Sequence, residues 1–140
     1  MKLGVICDGI SRDLNHTINV MDEVGLDYAE LQFVGEHEVG DHPPEEVREI
    51  DALLRDRGKP VSCLSRHVFA GLTTQNKAGD AAHEKHMDAL KRVIDMAHIV
   101  GAPLVRIMTN KKEQILFGHH GAEKWNVAHG AWDATLPLIA

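Results

Sequence analysis

The stretch Ile99-Val-Gly-Ala-Pro-Leu-Val-Arg-Ile-Met-Thr-Asn110 predicts the end of a helix, a tight turn and a buried strand. Gly101 suits the left-handed backbone position just past a helix, and Pro103 prevents that helix from continuing. The run from Leu104 to Met108 is apolar, long enough for a strand and too short for a helix. Because polar residues end this run, we expect the strand to open there into a functional loop.

The same order of elements occurs three more times along the chain. The predicted strands are Leu3–Cys7, Tyr28–Val34, Pro60–His67 and Leu104–Met108. The predicted helices begin after Asp13 or Asn15, after Asp41, at Asp80 and at Ala122. Two of these helices carry an apolar stripe, formed by Ile18, Met21 and Val24 in the first and by Val47, Ile50 and Leu54 in the second. The second strand alternates, with Ala29 and Leu31 on one side and Glu30 on the other. Strands that alternate with amphipathic helices indicate a parallel sheet with helical crossovers. The longer loops follow the strands, which places the functional residues at the carboxyl ends of the strands.

The bulk composition indicates one domain covering residues 1–140. The net charge of -6 argues against a nucleic-acid partner, for which a basic stripe is expected. No apolar run approaches membrane-spanning length, so we expect no membrane partner. Two cysteines, both in predicted strands, and a first strand that begins almost at once indicate a cytoplasmic protein.

Two folds fit the alternation of strands and helices, an open doubly wound sheet and half of a TIM barrel. The glycine-rich phosphate-binding motifs of dinucleotide-binding and P-loop folds are missing from the sequence. In a barrel, alternate strands contribute side chains to the same interior layer. The second and fourth predicted strands would therefore place Glu30 and Arg106 together as an interior pair. The alternative is that each side chain reaches solvent at a strand edge.

Three segments resemble the sugar phosphate isomerase/epimerase family, which belongs to the xylose isomerase-like TIM barrel superfamily together with endonuclease IV. The segments are Lys2-Leu-Gly-Val-Ile6, Glu23-Val-Gly-Leu-Asp-Tyr-Ala-Glu-Leu31 and Ala97-His-Ile-Val-Gly-Ala-Pro-Leu-Val-Arg-Ile107. The resemblance implies an α/β fold of the (β/α) TIM-barrel type, with four βα units that correspond to the N-terminal half of a barrel.

The resemblance also implies a divalent metal ion, Mn, Mg, Co or Zn, at the carboxyl end of the barrel. The family's ligands come from the fifth to eighth strands, so they lie mostly outside this chain, and we assign neither metal ligands nor catalytic residues here. A full barrel needs about 250 residues. Four strands alone would leave two open edges. We therefore expect a homo-oligomer or a complementing C-terminal half.

Four residues near the carboxyl ends of predicted strands are candidates for substrate binding. His67 ends the third strand, where the resembling family contacts substrate; the alternative is a solvated loop histidine. Arg66 would bind a phosphate or carboxylate, or pair with an acidic residue of a helix. Asn110 would hydrogen-bond a sugar hydroxyl, and Asp8 would line the mouth or cap the following loop. The helical histidines are predicted to lie at the surface: His83, His86 and His98.

Three functional hypotheses follow. In the first, the chain is part of a metal-dependent sugar or sugar-phosphate isomerase or epimerase, which acts by proton transfer next to a carbonyl of a small-molecule sugar. In the second, it is an endonuclease IV-like metal phosphodiesterase, which the ten histidines favour and the net charge of -6 opposes. In the third, it is a non-catalytic half-barrel that dimerises.

Overall fold

A computed structural model of the chain describes residues 1–73 and 76–109. The strands are β1 (Gly4–Ile6), β2 (Tyr28–Leu31), β3 (Phe33–Val34), β4 (His37–Glu38), β5 (Val61–Ser65) and β6 (Val105–Arg106). The helices are α1 (Leu14–Val24), α2 (Pro44–Asp56) and α3 (Ala81–Val100), and a single 3-10 turn spans Cys7–Gly9. The predicted fourth helix at Ala122 lies outside the described residues.

The chain divides into two compact units. The first comprises Met1–Arg66 and Ala89–Arg106, and the second comprises His67–Asp88 together with the described residues 107–109. The six strands of the described residues lie in the first unit. The single domain over residues 1–140 stays a prediction. Within the described residues, no helix is both long enough and apolar enough to cross a membrane.

The main sheet is parallel, with strand order β1-β2-β5-β6. Ile6 pairs with Glu30, Glu30 pairs with Cys63, and Ser65 pairs with Arg106. The register between β2 and β5 shifts at Ala29/Glu30. A parallel sheet joined by helices is the predicted α/β arrangement, and the order of the strands follows the order of the chain, as in a barrel.

The second strand is shorter than predicted. The structure ends it at Leu31, and Phe33–Val34 instead pairs antiparallel with His37–Glu38. This β3–β4 hairpin lies partly in what the sequence suggested was a plain loop. The alternation of β2 is confirmed, because Ala29 and Leu31 are fully buried while Glu30 is only partly buried.

The core of the first unit combines one face of the sheet with apolar stripes of the helices. The predicted inner stripe of α2 is confirmed, since Val47, Ile50 and Leu54 are all buried. The stripe predicted for α1 is only partly correct: Ile18 and Met21 are buried, but Val24 is 64% exposed. Val24 is the last helical residue before the left-handed Gly25, where the chain turns away.

The start of α2 differs from the prediction in the role of Asp41. The helix begins at Pro44, and its N-cap Pro43 makes no side-chain capping bond. The Asp41 carboxylate binds two arginines instead, as described below. The predicted start of α3 is confirmed, because Asp80 Oδ1 accepts a hydrogen bond from the His83 amide at 2.8 Å.

Gly40 marks a close approach between the β4–α2 loop and α3. Its φ is +87°, and a Cβ built there would lie 2.9 Å from Val93 N and 3.0 Å from Val93 Cα. The Gly40 amide also points at Met96 Sδ, 3.2 Å away. Only glycine combines this backbone conformation with this close packing.

Candidate functional site

The carboxyl edge of the parallel sheet in the first unit is where the sequence predicted substrate contacts. Asp8 lies there, in the 3-10 turn after β1, and is partly buried. Its Oδ1 accepts a long hydrogen bond, 3.5 Å, from the Phe33 amide. Asp8 thus faces the start of the β3–β4 hairpin.

Glu30 and Arg106, predicted as an interior pair, lie side by side on one face of the sheet. Arg106 Nη1 is 3.8 Å from Glu30 Oε1. The Ser65 hydroxyl, on the strand between them, donates a hydrogen bond to the same Glu30 oxygen. Arg106 Nε is buried, and no described residue hydrogen-bonds to it. We call these three residues the charged layer: Glu30, Ser65 and Arg106. The layer places a cation and an anion just below the carboxyl edge.

Arg66 is engaged by acidic groups that come before α2. The residue is 8% exposed, its Nη2 donates to Asp41 Oδ2 at 2.6 Å, and Glu38 Oε2 lies 3.7 Å away. Its Nη1 donates to the Val39 carbonyl. Arg66 therefore pairs with acidic residues, but not with those of a helix as expected, because the acids belong to β4 and the following loop. Substrate binding by Arg66 stays a prediction.

Asp41 holds two arginines at once. Arg92 Nη2 on α3 donates to its Oδ1 at 2.8 Å, while Arg66 occupies its Oδ2. Burial acts to raise the pKa of Asp41, but the hydrogen bonds and charges of Arg66 and Arg92 outweigh burial and lower the pKa below its ordinary value. The carboxylate thus fastens the β4–α2 loop to α3 and to the end of β5.

His67 and Asn110 are the other two predicted substrate contacts. His67 follows Arg66 directly and is exposed. Asn110 lies outside the described residues. Their roles stay predictions.

The expectation that His83 is a surface residue is wrong. Its exposed fraction is 4%, and its ring stacks on Phe69 with centroids 5.7 Å apart. The Phe69 amide donates to His86 Nδ1 at 2.9 Å, so His86 also serves the packing of this second unit. His98 is exposed, as predicted.

The thiol of Cys7 is unsuited to nucleophilic chemistry. Burial, with a smaller contribution from the charge of Asp8, raises the pKa of this thiol to about 12. Both Cys7 and Cys63 are free cysteines.

A cluster of His37, His42 and Glu46, which we call the hairpin cluster, was not predicted from the sequence. One side-chain ligand atom from each residue lies within 4.8 Å of those of the other two. His37 Nδ1 is 3.4 Å from Glu46 Oε2, and the two imidazole rings meet edge to face with centroids 5.4 Å apart. The hairpin provides His37, the loop provides His42, and the first turn of α2 provides Glu46.

His42 is oriented by the hairpin backbone. Its Nε2 lies 3.1 Å from the Val34 carbonyl oxygen, and Val34 is the register partner of His37. Burial lowers the pKa of His42, and the neighbouring His37 adds to that effect against the pull of the Val34 carbonyl. A neutral ring that donates from Nε2 carries its lone pair on Nδ1.

An open pocket of about 560 Å³ adjoins the hairpin cluster. All three cluster residues line it, together with polar residues that include Asn15, Glu36 and Glu49. The sequence signal that would have located the cluster is the spacing His-x4-His-x3-Glu, which runs from a loop into an acidic first helical turn.

Comparison with models of known protein families identifies the family of this chain. The sequence profile described as "Xylose isomerase-like TIM barrel" matches residues 18–137. The chain belongs to the xylose isomerase-like TIM barrel family. Membership in this family confirms the predicted resemblance and the predicted α/β fold of TIM-barrel type, and members of it often bind divalent metal ions. No curated protein matches the sequence.

Proposed function

We propose that this chain forms the N-terminal half of the barrel of a metal-dependent sugar or sugar-phosphate isomerase or epimerase. The observation that carries the proposal is the family match over residues 18–137, on a chain whose main sheet has four parallel strands in chain order. The reaction would be proton transfer at the carbon next to a carbonyl.

The charged layer supports this reaction by its position. In a TIM barrel, interior side chains near the carboxyl ends of the strands lie beneath the substrate. Glu30 is fixed there by Ser65 and faces Arg106, whose Nε lacks a partner among the described residues. In the proposed enzyme, Arg106 balances the charge of Glu30, and the field of the pair orients polar groups of a bound sugar.

His67, Asn110, Asp8 and Arg66 remain the proposed substrate contacts. An imidazole, an amide and a carboxylate each hydrogen-bond sugar hydroxyls, and a guanidinium binds phosphate. Arg66 already donates to Asp41 and Val39, so substrate would have to share it with these acceptors.

The divalent metal of the proposed enzyme would polarise substrate oxygens. The described carboxylates at the carboxyl edge do not suit it, because they are already engaged by other groups. Asp8 accepts a hydrogen bond from the Phe33 amide, and Asp41 binds Arg66 and Arg92. The ligands are therefore proposed to come from later strands, and the acid and base with them.

The first step of the test is to sequence the coding region past the codon for Ala140. The complete product should be expressed, loaded separately with Mn²⁺, Mg²⁺, Co²⁺ and Zn²⁺, and mixed with small aldoses, ketoses and their phosphates in D₂O. We expect metal-dependent exchange of the hydrogen next to the carbonyl, seen by proton NMR. An absence of exchange with every metal and sugar would overturn the proposal.

A parallel assay distinguishes the phosphodiesterase hypothesis from the isomerase proposal. The same metal-loaded protein should be incubated with duplex DNA that contains an abasic site. We expect no strand cleavage, because the chain carries a net charge of -6. Cleavage without sugar exchange would replace the isomerase proposal with a nuclease.

A further inference from the structure

We infer that the hairpin cluster is a binding site for a divalent transition-metal ion, with His37, His42 and Glu46 as its protein ligands. Two imidazoles and one carboxylate form a donor set that suits zinc and its neighbours in the transition series. The inference does not depend on the isomerase proposal, since it uses only residues of the hairpin, the β4–α2 loop and α2.

The first argument is the separation of the donor atoms. Two ligands that bind one zinc ion at about 2.1 Å with tetrahedral angles lie about 3.4 Å apart. His37 Nδ1 and Glu46 Oε2 are 3.4 Å apart. All three ligand atoms lie within 4.8 Å of one another, so the ligand atom of His42 has to move toward the other two when the ion binds.

The second argument is the state of His42. A metal-binding histidine usually donates its other ring N–H to a carbonyl or carboxylate, which fixes the ring and the tautomer. His42 Nε2 is so placed against the Val34 carbonyl, at 3.1 Å. His42 Nδ1 is buried, and none of the described residues offers it a hydrogen bond. A buried acceptor without a partner is costly, and a metal ion at Nδ1 would remove that cost.

The third argument is the open side of the cluster. Three protein ligands leave one tetrahedral position of a zinc ion vacant. The pocket of about 560 Å³ borders all three residues, so it supplies room for a water molecule or a small anionic ligand at that position. The metal ion would also cross-link the β3–β4 hairpin to α2.

The experiment uses the full chain, freed of metal by a chelator and titrated with Zn²⁺ against a chromophoric competitor. His37→Asn, His42→Asn and Glu46→Gln each remove one ligand. Controls are His16→Asn and His98→Asn, which change exposed histidines of α1 and α3, and the double variant H119N/H120N. Thermal unfolding with and without Zn²⁺ is the second readout.

We expect one tightly bound Zn²⁺ per chain and a higher melting temperature when it is bound. Each ligand variant should weaken binding by about 100-fold or more, because loss of an outer hydrogen-bond partner alone costs about 10–100-fold. The three controls should bind as the unchanged chain does. Glu46→Gln keeps the size and shape of a half-exposed side chain, so it tests the site even if a histidine variant unfolds.

Three results would overturn the inference. The first is a chain that binds no Zn²⁺. The second is binding that survives Glu46→Gln and both cluster histidine variants unchanged. The third is a tight site lost in H119N/H120N and retained in the cluster variants.

Discussion

At the residue scale, Gly40 is the described glycine where an added Cβ would meet the nearest atom. A methyl group there meets the backbone of Val93 at 2.9 Å, and φ is +87°. Gly25 is the matched control, because its φ is +72° and, apart from its own chain neighbours, no described residue lies within 4 Å of an added Cβ.

We expect Gly25→Ala to lower the free energy of unfolding by about 1 kcal/mol, the cost of a left-handed alanine. Gly40→Ala should cost about 1–3 kcal/mol more, because the helix backbone must also move. Urea unfolding measures both. Equal losses in the two variants would show that the contact with Val93 carries no cost.

Asp41 leads to a prediction about how the stability of the fold depends on pH. Its pKa is lower in the folded protein than its ordinary value of 3.8, so its carboxylate stabilises the fold above that pH. This stabilisation is lost as the pH falls below 3.8 and passes through the lower pKa that Asp41 has in the folded protein.

Asp41→Asn should therefore lower the free energy of unfolding by about 1–2 kcal/mol at neutral pH, since two arginines lose a charged acceptor. The difference from the unchanged chain should shrink as the pH falls below 3.8. Asp95→Asn, at an exposed acid of α3, is the control. A difference that is constant with pH would contradict the role given to the carboxylate.

At the scale of elements, the charged layer joins β2, β5 and β6. Arg106→Leu should destabilise the chain by about 1 kcal/mol, because Glu30 loses a partly shielded partner. Arg48→Leu, which removes an exposed arginine of α2 that lies 4.0 Å from Glu45, should change stability by less than about 0.5 kcal/mol.

A double-mutant cycle isolates the pair itself. Glu30→Gln and Arg106→Leu, made singly and together, should show a coupling free energy of about 0.5–1 kcal/mol in urea unfolding. Strictly additive effects would mean that the 3.8 Å approach contributes nothing.

Short-range patterns predicted most of the elements, and long-range contacts account for what was missed. Alternation predicted the buried Ala29 and Leu31. Together with the rule that alternate strands of a barrel share an interior layer, it also predicted the pair of Glu30 and Arg106. The hairpin was missed because Phe33 and Val34 continue the apolar strand pattern past Leu31. No local signal shows that Asp41 is taken by arginines 25 and 51 residues away.

The surroundings of the histidines likewise could not be predicted from local sequence patterns. A histidine on an amphipathic helix has no pattern that distinguishes packing from solvent, so the burial of His83 was missed. For His42, the deciding fact is which ring nitrogen meets the Val34 carbonyl, and this depends on the fold of the hairpin.

At the scale of the whole molecule, the face of the sheet that carries the charged layer also exposes apolar side chains. Ile6 shares this face with Glu30, its register partner, and Leu104 shares it with Arg106 two residues on. Their exposed fractions are 37% and 63%. In a complete barrel this face would be interior.

We expect the chain to self-associate through this face. Leu104→Asp should shift sedimentation velocity profiles toward the monomer, because it places a charge where apolar surface is covered. Val24→Asp is the matched control, since Val24 is 64% exposed at the end of α1. A chain that is monomeric at every concentration would contradict the expectation.

The bond between Asp41 and Arg92 also sets an order of events during synthesis. The two residues are 51 positions apart. At roughly 5–20 residues per second, a ribosome needs about 3–10 s to reach the second after the first. Through that interval the β4–α2 loop has emerged without the helix that will hold it. Docking of α3 against Gly40 and Asp41 therefore cannot begin until that interval has passed, and slower translation between these codons would lengthen the exposure of the loop.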